Sequence, residues 1–150
     1  MIYEDILKKA LVSSNPPNLL FSSRDQSYSY QLIQKYLHSR WPHFQLRKIA
    51  EKGKLEYHKY SCYYEFSLEK MQTKQSEAFW EVFNGLFSQG SVTRERYWIV
   101  LKGDDSIKKS YQDRLRFIIE RRQCKATFLL LTNNESHIID PLKSRFLIIR

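Results

Sequence analysis

The sequence is poor in the residues that mark small secreted folds and disordered chains. Its 150 residues include only 2 cysteines, 4 glycines and 4 prolines. Cys62 and Cys124 are far apart and form no Cys-x-x-Cys pair, so neither a disulfide framework nor a zinc site is indicated. The low glycine and proline content, together with 42% hydrophobic residues, argues against disorder. We therefore expect a single folded domain over residues 1–150.

Long apolar segments are also missing. No apolar run approaches the ~20 residues that a helix needs to cross a bilayer. The first residues, Met1–Asp5, lack the basic and apolar regions of a signal peptide. The sequence therefore predicts a soluble, intracellular protein with no membrane partner.

Acidic residues are outnumbered by basic ones. Lys and Arg total 25 against 16 Asp and Glu, which gives a formal net charge of +9. Such an excess favours polyanionic partners, above all nucleic acid, because phosphate neutralisation releases counterions. Basic charge also occurs in proteins that it merely keeps soluble, so charge alone leaves both interpretations open.

What the sequence does contain is an alternation of apolar strands and amphipathic helices. The predicted strands lie around residues 19–22, 59–67, 97–101, 126–132 and 146–149. Helical spacing of apolar residues occurs over 3–12, 28–38, 73–89 and 107–122, and the aromatic stripe of the third helix is expected to be core. Such an alternation predicts a five-stranded parallel sheet covered on both faces, a three-layer α/β/α sandwich.

The final third of the chain carries a longer pattern. Counted without a gap from the strand that ends at Leu101, the pattern consists of Gln112, Leu115, Glu120, Asn133, Ser136, Ile138, Ile139, Leu142, Ser144 and Arg145. In this spacing the chain resembles the clamp-loader branch of AAA+ proteins, namely the small subunits of replication factor C and the δ′ subunit of the bacterial loader. Phe146 stands where that family has Cys. The resemblance implies a P-loop NTPase-fold core with strand order 5-1-4-3-2.

The segment in the position of the phosphate-binding loop has lost the residues that the loop needs. A P-loop uses glycines whose N–H groups wrap the phosphates, a Lys for the β- and γ-phosphates, and Ser or Thr for Mg²⁺. Residues 22–30 contain no glycine, and Ser23 is one of the degenerate positions. Ser29 stands in place of the Lys, and Tyr30 in place of the Mg²⁺-binding residue. Asp25 brings negative charge toward the expected position of phosphate.

The second half of the family's ATP site is degenerate too. By the same register, Lys102 takes the place of the metal-binding Asp, and Gly103 that of the catalytic Glu. Asp105 matches the last Asp of the motif. Asn133 falls at the sensor position and, without nucleotide, is expected to cap the strand end or the following turn. These losses predict a pseudo-ATPase, which is not an enzyme and uses no cofactor or metal.

Arg145 is the remaining candidate for chemistry. In the family, the arginine of the Ser-Arg-Cys motif acts in trans as a finger on the ATP of a neighbouring subunit, where it stabilises the charge of phosphoryl transfer. Ser144 and Arg145 are retained, so the resemblance implies a finger given in trans. The alternative is an ordinary surface arginine.

Two basic segments are candidates for nucleic-acid contact. The first, residues 40–59, interleaves basic and aromatic side chains, and the second is the helix over 107–122. Each can track phosphates, and each can also be a merely solvated surface. The candidate residues are Arg47, Lys48, Lys52, Lys54, Lys108, Lys109, Arg114, Arg121 and Arg122.

Two functions of different classes follow. The first is a catalytically inactive clamp-loader-like scaffold or interaction subunit at the site of DNA replication or repair. Its partners would be loader-type ATPase subunits, a sliding clamp or polymerase components, and DNA. The second is a stand-alone basic DNA- or RNA-binding module derived from the same fold. Because the sequence ends at Arg150, we expect the family's helical lid and collar to be absent.

Overall fold

The structure is a computed structural model, and it describes residues 2–13, 16–40, 47–51, 55–59, 63–68, 73–88, 97–103, 108–120 and 126–150. The helices are α1 (Ile2–Val12), α2 (Gln26–Arg40), α3 (Thr73–Ser88), α4 (Lys109–Glu120) and α5 (Asp140–Lys143). The strands are β1 (Leu19–Ser22), β2 (Arg47–Glu51), β3 (Leu55–Lys59), β4 (Tyr63–Ser67), β5 (Tyr97–Lys102), β6 (Ala126–Thr132) and β7 (Leu147–Ile149). A 3₁₀ turn covers Glu135–His137.

The strands form one mixed sheet in the order β2-β3-β4-β5-β6-β1-β7. From β4 to β7 every neighbouring pair is parallel, whereas β2–β3 and β3–β4 are antiparallel. All residues of β6 are buried, as expected for a strand in the interior of a sheet that helices cover on both faces.

The predicted five-stranded parallel sheet was wrong in its strand number and in its complete order. Two antiparallel strands, β2 and β3, extend one edge, and β2 lies in the basic segment over residues 40–59, where no strand was predicted before residue 59. The strand predicted over 59–67 is in fact the end of β3 and the whole of β4. Alternation with a period of two looks the same in one long strand and in two paired ones, and residues 60–62 contain no glycine or proline to signal a turn. The five parallel strands alone run β7-β1-β6-β5-β4, the neighbours that the prediction gave them.

Helices cover both faces of the sheet and enclose two apolar cores. Because side chains alternate along a strand, β6 sends Phe128 toward α3 and α4 but Leu129 toward α1 and α2. The stripe on α3 is core as predicted, since Phe79 and Phe83 are fully buried. Phe79 packs edge-on against Phe66 of β4, with 5.1 Å between the ring centroids. The three-layer α/β/α arrangement is therefore confirmed.

A buried glutamine fixes the segment after β6 to α4. Gln112 donates from Nε2 to the His137 carbonyl at 2.9 Å, and its Oε1 accepts the Ile139 N–H at 2.7 Å. Both bonds satisfy backbone groups of an irregular segment that would otherwise lose hydrogen bonds on burial. This contact sets the position of α5 and of the residues that follow it. Within the described ranges, every helix is too short or too polar to cross a membrane.

Candidate functional site

The candidate site lies at the carboxyl ends of the parallel strands, where open α/β sheets bind their ligands. A polar cavity of about 230 Å³ opens there, between the start of α2 and the ends of β4, β5 and β6. It is lined by Gln26, Ser27, Tyr30, Ser67, Lys102 and Leu131. Three of these residues belong to the segment predicted as a degenerate phosphate loop.

The connection from β1 to α2 is shorter than that prediction assumed. Only Ser23–Asp25 separate the two elements, because α2 already begins at Gln26. Ser29 and Tyr30 lie within the helix, as in the predicted helix over 28–38, and Ser29 is buried. The helix begins two residues before the predicted start at residue 28. The physical reason is a capping aspartate, Asp25, which starts the helix early.

Asp25 caps the amino end of α2 with its own carboxylate. Its Oδ1 accepts the backbone N–H of Ser27 at 3.1 Å and that of Tyr28 at 3.4 Å. The Ser23 hydroxyl accepts the Asp25 N–H at 3.2 Å, which holds the capping residue in place. An anion at a helix amino end is favourable electrostatically. The N–H groups that a phosphate would use here already have an acceptor from the chain itself.

We expect Asp25→Ala to lower the free energy of unfolding by about 1 kcal/mol, the usual cost of losing an N-cap acceptor. Asp25→Asn keeps a capping oxygen and should stay within a few tenths of a kcal/mol of the wild type. Urea denaturation followed by circular dichroism measures both. If both variants unfold at the wild-type midpoint, the carboxylate does not cap the helix in solution.

The backbone of Gly103 forms hydrogen bonds with both β6 and α2 at the same end of the sheet. Its N–H donates to the Leu131 carbonyl at 2.9 Å, and its own carbonyl accepts from Gln26 Nε2 at 2.5 Å. The backbone at the position of the family's catalytic Glu thus joins β6 to the first residue of α2. With no side chain there, this position has no carboxylate to orient a water molecule.

Lys102 and Tyr30 lie in direct contact. The Lys102 ammonium is 4.3 Å from the centroid of the Tyr30 ring. In the register of the resemblance, these two residues occupy the positions of the metal-binding Asp and the metal-binding Ser or Thr. The structure therefore brings the two positions together, but the residue at one of them is a cation and not a carboxylate that could bind metal. Asp105, the last residue of that motif, lies outside the described residues.

Glu65 is the centre of a polar network that sequence reasoning missed. Its side chain is almost fully buried. It accepts hydrogen bonds from Tyr30 Oη at 2.6 Å, Tyr63 Oη at 2.5 Å and Gln34 Nε2 at 2.7 Å. His58 Nδ1 lies 3.2 Å and Lys102 Nζ 3.8 Å from Glu65 Oε2. We call these six residues the Glu65 cluster: Tyr30, Gln34, His58, Tyr63, Glu65 and Lys102.

The Glu65 cluster joins four elements of the fold. Tyr30 and Gln34 come from α2, His58 from β3, Tyr63 and Glu65 from β4, and Lys102 from β5. A charge buried with partners on several elements fixes their relative positions, because separating them would leave that charge unpaired. No local pattern marks Glu65, since an acid at an alternating position of a strand usually faces water.

These residues do not fit a magnesium nucleotide. The helix end is capped by Asp25, and the connection before it has three residues. In the register of the resemblance, the ammonium of Lys102 replaces the carboxylate that would bind metal. Among the described residues, no group of three or more His, Cys, Asp or Glu side chains could hold a metal ion. The arrangement is a closed electrostatic network.

The turn after β6 is capped by Asn134 and not by Asn133. Asn134 Oδ1 accepts the Ser136 N–H at 3.1 Å, and the Thr132 hydroxyl accepts the Asn134 N–H at 3.2 Å. Asn133 is exposed, and the cap predicted at Asn133, for the strand end or the following turn, lies one residue later at Asn134. A hydrogen bond from Arg150 at the end of the chain lowers the pKa of the Glu135 carboxyl in the same turn.

Arg145 lies outside the nucleotide-side cavity and pairs with the end of α4. Its Nη2 and Nε donate to Glu120 Oε1 at 2.7 and 3.1 Å, and its Nη1 donates to the Ser144 hydroxyl at 3.1 Å. About 44% of the Arg145 side chain is exposed. The structure thus holds Arg145 by residues of the same chain, in a position that solvent reaches.

The predicted nucleic-acid residues lie in several places. Lys108, Lys109 and Arg114 are exposed at the start and along the outer side of α4, and the Arg114 guanidinium lies over the Trp80 ring at 4.5 Å. Arg47 and Lys48 belong to β2, the strand at one edge of the sheet. The remaining candidates lie outside the described residues: Lys52, Lys54, Arg121 and Arg122.

Comparison with known proteins supports the fold. No protein-family model and no curated protein matches the sequence. Among solved structures, the chain is similar to a DNA polymerase III, gamma subunit-related protein from Thermotoga maritima, with a TM-score of 0.59 and 13% identity. The match covers 98% of this chain and 45% of that one, so the chain spans less than half the length of its neighbour. The two share an α/β fold whose sheet is mostly parallel.

Proposed function

We propose that this chain is a catalytically inactive, clamp-loader-like AAA+ core that serves as a scaffold or interaction subunit in DNA replication or repair. One observation carries the proposal: at the end of the sheet where the family binds nucleotide, this chain's own side chains are paired with each other. Asp25 caps α2, and Lys102 lies against Tyr30. The fold shared with a DNA polymerase III, gamma subunit-related protein supports the same direction. So does the pattern from Leu101 to Arg145.

The electrostatics of the site explain why such a chain would not need ATP. A bound triphosphate would have to displace the Asp25 carboxylate from the helix end and would meet its negative charge. Metal would have to displace the Lys102 ammonium, which is already paired with Glu65 at 3.8 Å. The Glu65 cluster instead joins α2 to the sheet with side chains alone. The core is thereby held in one arrangement without nucleotide.

In this proposal, the chain supplies binding surfaces for other proteins and does not hydrolyse ATP itself. Its partners are loader-type ATPase subunits, a sliding clamp or polymerase components, together with DNA. Arg145 is the one residue that would act on a partner's chemistry. Its side chain is accessible to solvent and is paired with Glu120 in a partly exposed ion pair. Such a pair is weak, so the guanidinium can leave Glu120 and turn toward a neighbouring subunit.

A titration with a fluorescent ATP analogue and Mg²⁺ tests the inactive site. We expect no saturable binding by the wild type up to millimolar nucleotide, a range in which weak complexes of about −4 kcal/mol are detected. A loader-type ATPase serves as the positive control. Micromolar binding that is lost in Lys102→Ala would contradict the proposal, because it would place a nucleotide in the cavity described above.

A second candidate function is a stand-alone module that binds DNA or RNA. It is favoured by one observation, the exposed basic side chains at the start and on the outer side of α4, in a chain of net charge +9. Phosphate contacts from such a helix need no nucleotide site and no partner subunit.

A further inference from the structure

Phe117 is an aromatic residue on the outside of α4. It is 59% exposed, whereas Tyr111, Leu115 and Ile118 of the same helix are buried. The exposed positions of this helix include residues 109, 110, 114 and 117, and the ring lies one turn from Arg114. The core does not require Phe117. A single exposed apolar residue is common on protein surfaces, and what distinguishes Phe117 is the set of charged side chains around its ring.

The surroundings of the ring are basic. The Arg116 guanidinium lies over the Phe117 ring, 4.9 Å from its centroid. Lys109 and Arg114 are exposed on the same helix, and side chains one turn apart have Cβ atoms only about 5–6 Å from each other. Of the two acids on α4, Glu120 is already paired with Arg145, and Asp113 lies one turn before Phe117. Three basic side chains against one remaining acid leave the surroundings of the ring with a net positive charge.

We propose that the outer surface of α4, formed by Lys109, Arg114, Arg116 and Phe117, binds single-stranded nucleic acid by stacking a base on the Phe117 ring. Proteins that hold single strands combine a basic surface with aromatic side chains on which bases stack, and arginine adds a cation–π contribution. Phosphates on either side of the stacked base would contact Lys109 and Arg114. This proposal names the substrate class of the second candidate function and rests on it.

Other polyanions fit this surface less well. In a duplex the bases are stacked on one another. An exposed phenyl ring can therefore contact a base face only if two adjacent base pairs unstack, which costs a few kcal/mol. An acidic peptide would anchor its apolar residue in a pocket, whereas here the apolar residue stands out from a convex helix. A flexible strand with unpaired bases has neither requirement.

The test is fluorescence anisotropy of the full chain with a labelled oligothymidylate of about twenty nucleotides, long enough for the usual site sizes. Phe117→Ala is expected to weaken binding about tenfold, within a range of roughly 5- to 150-fold for the loss of one aromatic stacking partner. Phe117→Trp should bind as tightly as the wild type or more tightly. Val12→Ala, at an exposed apolar residue that ends α1, is the matched control and should leave affinity unchanged.

Two further measurements separate stacking from charge. An abasic strand of the same length should bind the wild type more weakly by the factor that Phe117→Ala costs, and should show no further loss in that variant. The slope of log affinity against log salt should be unchanged in Phe117→Ala but reduced in magnitude by about 0.7 in Arg114→Ala, the loss of one phosphate contact.

Three results would overturn the proposal. One is equal affinity of wild type and Phe117→Ala for the oligothymidylate. Another is an equal loss by Phe117→Ala on a duplex of the same length, which would mean that unpaired bases are not what the ring binds. In both cases the nucleic-acid module itself would survive. The third is that the wild type binds neither the oligothymidylate nor the duplex, which would contradict both the nucleic-acid-binding function and the stacking proposal.

Discussion

Glu65→Ala is expected to lower the free energy of unfolding by about 3–5 kcal/mol, the range found when one partner of a buried charge network is removed. The carboxylate is 3% exposed and accepts from Tyr30, Tyr63 and Gln34. Without it, two hydroxyls and an amide lose an acceptor, and each buried polar group left unsatisfied costs about 1–3 kcal/mol. Lys102 loses its counter-charge as well.

Three variants separate these contributions. Glu65→Gln preserves the shape and one acceptor oxygen but not the charge, so we expect a smaller loss than for alanine. The double variant Glu65→Ala, Lys102→Met should recover part of the alanine loss, since it removes the ammonium together with its partner. Glu77→Ala, at an exposed acid of α3, should stay within about 0.5 kcal/mol of the wild type.

Urea denaturation, monitored by circular dichroism and by tryptophan fluorescence, gives each value under a two-state analysis. A loss below about 1 kcal/mol for Glu65→Ala, similar to that of an exposed acid, would contradict the buried network. Solvent would then have to reach Glu65 freely. In that case the cluster could not hold α2 against the sheet in place of a nucleotide.

The regular elements could be predicted because their signals are local. The apolar run at Tyr97–Leu101 and the spacing of Tyr111, Leu115 and Ile118 are visible within one window and appear as β5 and α4. The edge of the sheet was not predictable in this way. Strand β2 pairs with β3, and β3 pairs with β4, through backbone hydrogen bonds. Such bonds impose no sequence pattern that distinguishes one long strand from two.

The site was predictable in its position but not in its chemistry. Counting along the resemblance placed Tyr30 and Lys102 at one end of the sheet, where the structure brings them into contact. Sequence reasoning treated Asp25 as a charge in a loop, although a single Asp before a helical pattern is also an N-cap signal. Glu65 left no signal at all, because all of its partners except Tyr63 are 7 to 37 residues away and meet it only in the folded chain.

Arg145 presents a different problem, because its own chain already binds it. Two of its nitrogens contact Glu120, at 2.7 and 3.1 Å, and this pair is partly exposed. Exposed ion pairs contribute about 0.2–1 kcal/mol, so releasing the guanidinium toward a neighbouring phosphate costs little. A planar guanidinium can then contact two phosphate oxygens at once, which the point charge of a lysine does not do.

If this chain is the interaction subunit that we propose, Arg145→Ala is expected to lower kcat of a neighbouring loader-type ATPase by about 10³-fold, the lower end of the effect of an arginine finger. Arg145→Lys should recover only a small part of the rate.

Single-turnover ATP hydrolysis by the partner, at a saturating concentration of this chain, measures the effect apart from assembly. Lys143→Ala removes a nearby cation and is the matched control, expected at the wild-type rate, as is Glu120→Ala, which only frees the arginine. If the partner hydrolyses ATP equally fast with the wild type and with Arg145→Ala, the arginine is a surface residue that closes the end of α4. The scaffold would then act without contributing to its partner's chemistry.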